Sequence, residues 1–297
     1  MAYKVLSTSP TFGYYAFEPV EYLKDHGCEL DLVPQGKKMS EEELVKSAKG
    51  YQAMIVGMEK ITEPVIQASK DLKVIAKHGA GIDNIDVKTA SAKGITVISA
   101  PGANSDAVAD LTIGLFLSLA RNISFADRSV KEGGWPRIVG VQVNGKVLGI
   151  IGLGQIGKKV AKRASGFDMK VMAYDIFKDG GFAQQWGITY LPLEELLAKS
   201  DFISIHIPLT PSTRRLIGEK ELRLMKKDSF LVNISRGDIV DEEALYQALK
   251  EGRIKGAALD VFSSEPPKGN PLLKLSNVIS TPHMGGYTFE ALKETGM

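Results

Sequence analysis

The sequence predicts an α/β chain built on two doubly wound parallel sheets. Three observations predict it. Short β-branched apolar runs recur between longer stretches of helical pattern, as they do in a parallel sheet with crossover helices. The runs fall into two series with Pro and Gly between them. The chain's 297 residues also suffice for two domains of the usual ~100 to 200 residues.

The first series offers strands at residues 4–6, 30–33, 53–56, 74–76 and 96–98, and a helix follows at 104–121. The second offers 147–151, 170–174, 202–207, 230–234, 257–259 and 278–280, with helices such as 193–198 and 242–250 between them. Ala100-Pro101-Gly102-Ala103 punctuates the end of the first series, which sets residues 1–100 apart from 101–283. The 104–121 helix is apolar on nearly every face after Asp110, where a surface helix would show one stripe. Its expected place is between the domains or in a subunit interface.

Composition bounds the function. Thirty-seven Lys and Arg against 35 Asp and Glu leave a formal charge of +2, too balanced for a chain whose main partner is nucleic acid. Small molecules are the expected partners. The one cysteine, Cys28, and the scattered histidines 26, 78, 206 and 283 build neither a disulfide nor a metal site. The longest apolar run, residues 111–120, is shorter than the ~20 needed to cross a bilayer. A cytoplasmic protein with no membrane partner is expected.

Gly152-Leu153-Gly154-Gln155-Ile156-Gly157 follows one predicted strand and opens a helix. In that context its amides face a pyrophosphate at the positive end of the helix. The strand at 170–174 ends at Asp175, where a carboxylate can accept from the adenosine ribose and would repel a 2′-phosphate, so NAD is the expected cofactor. An exposed strand-end acid is the blander reading.

The other suspicious polar groups also fall at strand ends: His206-Ile207-Pro208, Ser235-Arg236-Gly237, Asp260 and His283. In open parallel sheets the ligand crevice lies along that edge. Arg236 is either a surface cation or a guanidinium fork for a substrate carboxylate. Glu265 is either a solvated loop acid or the partner of His283. A carboxylate beside an imidazole orients the ring and raises its pKa, giving an acid/base suited to neutral pH. His206 receives no catalytic role, only a place in the adenosine region or a structural one. In the first domain Lys77-His78-Gly79-Ala80-Gly81 follows a strand, where its glycines let amides approach an anion and its cations add charge, unless it is a plain βα turn.

These motifs, with Gly79 to Asp86, His206 to Thr210, Ala258 to Phe262 and Thr281-Pro282-His283 as they stand here, resemble those of the D-isomer-specific 2-hydroxyacid dehydrogenases. That family includes phosphoglycerate dehydrogenase, hydroxypyruvate and glyoxylate reductases, and formate dehydrogenase. The resemblance implies that Arg236 binds and polarises the 2-oxo acid, that Glu265 pairs with His283, and that His283 exchanges the proton. Arg236, Glu265 and His283 are thus the candidate catalytic residues. Gly152, Gly154, Gln155, Ile156, Gly157, Asp175, His206, Pro208, Ser235 and Asp260 are the candidate NAD contacts, with Asp260 near the nicotinamide. Lys77, His78, Gly79, Ala80, Gly81 and Arg236 are the candidate substrate contacts.

The implied fold is a flavodoxin-like substrate domain and a Rossmann NAD-binding domain, with catalysis in the cleft between them and homodimerisation through the larger one. Family members continue past the histidine with a helix that returns to the substrate domain, so residues 284–297 are assigned to it. Here only fourteen residues follow His283. Thr288 could cap a helix of about two turns with Glu290 in its first turn. Such a short helix implies a less stable substrate domain or an incomplete chain, with no room for an appended regulatory domain.

The substrate stays open. The overall likeness leans toward 3-phosphoglycerate, and Lys77 would favour a phosphate. The Ala80 and Gly81 amides alone could instead hold a lone carboxylate, as in hydroxypyruvate or glyoxylate. A reading of another class is an NADH-binding sensor without turnover, like the family's corepressors. A methyltransferase would share the Rossmann sheet but not the second ligand loop or the acid/base pair.

Overall fold

The computed structural model describes residues 2–37 and 39–297. One compact unit takes the chain up to Asn104 together with Gly286–Met297, and the other is Ser105–Gly285.

In the first unit β1 (Tyr3–Ser7), α1 (Glu18–Asp25), β2 (Cys28–Leu32), α2 (Glu41–Ser47), β3 (Ala53–Val56), α3 (Glu63–Ala68), β4 (Val74–Lys77), α4 (Val87–Ala92) and β5 (Thr96–Ile98) alternate. The strands pair in parallel in the order β2-β1-β3-β4-β5, the flavodoxin-like order. Side chains alternate between two cores: Leu6, Met54, Val56 and Ile75 face one, while Val5 and Ile55 face the other. Burial on both faces is why these strands read as continuous apolar runs.

The second unit begins with α5 (Ser105–Arg121) and α6 (Ile123–Lys131) and continues through β6 (Val147–Ile151), α7 (Gln155–Ser165), β7 (Lys170–Tyr174), α8 (Gly180–Gln185) and β8 (Thr189–Tyr190). After these come α9 (Leu193–Lys199), β9 (Phe202–Ile205), α10 (Glu219–Leu224), β10 (Phe230–Asn233), α11 (Glu242–Lys250), β11 (Gly256–Leu259) and β12 (Val278–Ser280). The order is β12-β11-β10-β9-β6-β7-β8, all parallel. The chain winds outward in both directions from the β6/β9 pair, so the topological switch point lies there, and the ligand crevice is expected at those strand ends.

The α5 helix contributes to the core of its own unit. Its apolar residues Val108, Ala109, Ile113, Leu115, Phe116 and Leu119 belong to the second unit's own core, with Phe116 set edge-on to Phe202 of β9. Lys159 and Arg163 of α7 bind Asp106 and Asp110 of α5 and align the two helices over one face of the sheet. Its solvated stripe is narrow, running through Asp106, Asp110 and Gly114 to Arg121, while the sheet and α7 enclose the rest.

Strand β9 ends at Ile205, two residues before the predicted end, because the chain leaves the ladder ahead of Pro208. The last helix, α12 (Phe289–Gly296), belongs to the first unit, and Thr288 Oγ1 accepts from the Ala291 amide at 3.1 Å, as its cap should. Lys293 then pairs with Glu18 of α1 at 2.7 Å. Among the described residues no single helix is long and apolar enough to cross a membrane.

Candidate active site

The glycine turn follows β6 at the switch point. Gly152 has φ +96°, and a Cβ there would lie 2.7 Å from the His206 carbonyl oxygen. Gly157 lets α7 start close to the strand, since its Cβ would come 2.1 Å from the Gly152 oxygen. Open space lies over Gly154, and no side chain caps α7 there. The amides of Gln155 and Ile156 in the first turn of that helix are thus suited to a dinucleotide pyrophosphate. Asp175, just past β7, is drawn onto the same turn, accepting from the Leu153 amide at 2.7 Å and from the Phe177 amide at 2.9 Å.

His206 lies at the end of β9 with both ring nitrogens buried and without a hydrogen-bond partner among the described residues. Burial pushes its imidazole down to about 3, so the ring stays neutral at physiological pH. Proton exchange is not its task.

The candidate acid/base pair stands farther along the same edge, past the ends of β11 and β12. His283 Nδ1 lies 2.8 Å from Glu265 Oε2. Partial burial alone would raise the Glu265 carboxyl, but His283's hydrogen bond and charge, the Phe262 amide and the Arg236 guanidinium hold it below its ordinary value. The carboxylate is therefore charged, and it accepts the hydrogen bond from the ring's Nδ1.

Three buried or half-buried groups set this geometry, and of them sequence reasoning singled out neither Asn233 nor Glu242. Asn233, at the end of β10, donates to the Arg236 carbonyl at 2.8 Å and accepts from the Ser235 amide and hydroxyl, each at 3.2 Å, which folds the Ser235-Arg236 turn. Thr281 donates to Asp260 at 2.6 Å. The same Asp260 carboxylate, buried at the end of β11, accepts from the Met284 and Gly285 amides at 2.9 and 2.8 Å. Asp260 thus grips both sides of His283, whose backbone sits at φ +53°, a left-handed conformation that a β-carbon disfavours unless the surroundings impose it. The third group, Glu242, is taken up below.

In the first unit β4 runs into the His78-Gly79-Ala80-Gly81 loop. Lys77 is buried, and its Nζ donates to the Gly57 carbonyl and, at 3.0 Å, to Asn84 Oδ1. The ammonium thereby closes the base of the loop that runs from His78 to Asp83. His78 is held on both ring edges, with Nδ1 3.0 Å from Ser9 Oγ and 3.2 Å from Thr11 Oγ1, and Nε2 3.2 Å from the Leu292 carbonyl of α12. Burial outweighs the Leu292 hydrogen bond and, with the charge of Lys77, lowers the ring's pKa. A carbonyl can only accept, so Nε2 carries the proton and Nδ1 receives the hydroxyls. The loop's two expected cations are therefore one engaged ammonium and one neutral ring.

The chain has clear relatives. Residues 113–285 match the model of the D-isomer specific 2-hydroxyacid dehydrogenase NAD binding domain. The chain is 48% identical to D-3-phosphoglycerate dehydrogenase of Methanocaldococcus jannaschii over 90% of its own length and 52% of that protein's. It is 43% identical to the glyoxylate reductase of Korarchaeum cryptofilum over 88% of its own length and 81% of that protein's. Among solved structures, the TT0316 protein of Thermus thermophilus superposes with a TM-score of 0.90 at 35% identity, over 99% of this chain and 93% of that one. The chain spans about half the length of the phosphoglycerate dehydrogenases it matches. With the model matched over more than half of its length, the chain belongs to the D-isomer specific 2-hydroxyacid dehydrogenases, with NAD as its cofactor.

Proposed function

We propose that the protein interconverts a small D-2-hydroxy acid and its 2-oxo acid. The observation that carries this reading is the 2.8 Å contact between His283 Nδ1 and Glu265 Oε2, which leaves Nε2 to exchange a proton. NAD, when bound, supplies the hydride chemistry. During reduction His283 Nε2 gives its proton to the oxygen on the substrate's second carbon, and during oxidation it takes that proton back. Glu265 stabilises the imidazolium form and fixes the ring. Arg236 offers a fork of N–H donors to the carboxylate and the neighbouring carbonyl. In the first unit the resemblance gives the Gly79-Ala80-Gly81 amides a share in holding the substrate.

The curated relatives support 3-phosphoglycerate as the substrate. The placement of Lys77 favours a second reading, an unphosphorylated acid such as hydroxypyruvate or glyoxylate, because its ammonium is engaged by Gly57 and Asn84. Comparing kcat/KM for phosphohydroxypyruvate and hydroxypyruvate, in wild type and Lys77→Ala, separates the two. A phosphate role requires a selective loss with the phosphorylated substrate. A loop clamp requires equal losses on both, with a lower Tm. Tight NADH binding without turnover of any 2-oxo acid would instead select a binding protein.

Homodimerisation through the second unit is part of the proposal. Its support is the exposure of Ile123, Phe125, Val130, Trp135 and Val139, the last two 87% and 91% exposed.

A further inference from the structure

Glu265 rides on a loop, residues 263–270, that leaves the end of β11 and returns at a short 3₁₀ turn, Pro271–Lys274. Its support is uneven. At its start the backbone lies hard against Gly237, where a Cβ would come within 2.0 Å of the Phe262 carbonyl carbon. Farther along, the loop spans an open hollow of about 270 Å³, with Ser264, Pro267, Lys268 and Gly269 on one side and Glu242 and Glu243 on the other. Packing beneath that stretch is thin, so hydrogen bonds carry more of its placement.

Beside the loop's own Lys268-to-Pro266 and Asn270-to-Pro267 backbone bonds, one side chain ties it to α11. Glu242, in the first turn of α11, accepts from the Ser263 amide through Oε1 at 2.7 Å and from Asn270 Nδ2 through Oε2 at 2.7 Å. Asn270 in turn caps the 3₁₀ turn by accepting from the Leu272 amide at 3.0 Å. A single carboxylate thus ties the first and last residues of the loop to a rigid helix. Helix capping is not its task, since Asp241 accepts from the Glu243 and Ala244 amides. Within the tied loop, Glu265 accepts from the Phe262 amide through Oε1 at 3.1 Å and meets His283 through Oε2.

We propose that Glu242 is a positioning residue for the acid/base pair, holding the Glu265 loop at both ends so that its carboxylate meets His283 Nδ1. The inference rests on the dehydrogenase reading for its kinetic arm and on geometry alone for its spectroscopic arm.

Both arms use the intact enzyme. The Glu242→Ala change cuts both ties, and Glu242→Gln keeps one carbonyl acceptor and so restores part of the effect. Misplacing a catalytic group by ~1 Å costs up to roughly 10²-fold, so Glu242→Ala should lower kcat for 2-oxo acid reduction by roughly 10- to 100-fold, with Glu242→Gln between it and wild type. NADH affinity should not change. In a Glu265→Gln background Glu242→Ala should add little, because the residue it positions is already disabled. In ¹⁵N-histidine-labelled protein the low-field, carboxylate-bonded Nδ1 proton of His283 should weaken or vanish in Glu242→Ala.

Losses that simply add in the double variant would overturn the proposal, as would a lower Tm with kcat and the Nδ1 proton unchanged. Should Glu242→Ala fail to fold, Glu242→Gln carries the same comparisons. A wild type that turns over no 2-oxo acid while the Nδ1 proton still responds to Glu242 defeats the dehydrogenase reading and leaves the positioning role standing.

Discussion

At the scale of single residues, the second unit separates holding a proton from moving it. Glu265, held below its ordinary 4.5, stays charged down to that pH and below. The pairing stabilises the fold above pH 4.5 and is lost as pH falls through the depressed folded value. Replacing His283 by Gln should cost roughly 10²- to 10⁴-fold in turnover while NADH titration stays nearly unchanged. Glu265→Gln should weaken the low-field Nδ1 proton signal of His283 and lower kcat, and an unchanged Nδ1 proton would refute the pairing. Asp175→Ser should weaken NADH and narrow its advantage over NADPH in paired binding titrations.

His78 titrates in the opposite setting. Its folded value lies below the ordinary 6.5, so the unfolded chain takes up a proton first as pH falls. Stability is present above pH 6.5 and is lost as pH drops from there through the folded value. Melting curves at pH 8 and pH 5.5 should show this loss in wild type and less of it in His78→Gln.

At the scale of elements, the glycine turn divides into a seat and a hinge. Gly154→Ala should leave Tm almost unchanged, because nothing occupies its Cβ position, yet weaken NADH by filling the pyrophosphate seat. Gly157→Ala should lower Tm, because its Cβ meets backbone 2.1 Å away. Equal melting losses for the two would contradict this division. Removing the cap of α12 with Thr288→Ala should cost about 0.5 to 2 kcal/mol, read from denaturant unfolding. The glycine turn and the strand-end residues were legible because each obeys a local rule: a glycine where backbones touch, or a polar residue where a buried strand ends. Glu242 and Asn233 were not legible. Each looks like an ordinary first-turn acid or strand residue, and its meaning depends on a loop 21 to 28 residues away or on a turn that folds back. For α5 the apolar pattern reports that a helix is enclosed and not what encloses it.

At the scale of the whole molecule, two parallel sheets share one design. The central strands of each are buried on both faces, so apolar interiors can hold the fold while the strand-end loops vary. The exposed Trp135 and Val139 give the association state a direct test. Trp135→Glu should shift sedimentation toward the monomer, and an unchanged profile would remove that segment from the interface. One further consequence follows from Asp260. By holding Thr281, Met284 and Gly285 it anchors the histidine turn just before the chain leaves the second unit at Gly286. Asp260→Ala should therefore loosen the outgoing segment together with the turn that carries the imidazole, read as faster amide exchange at Met284 and Gly285.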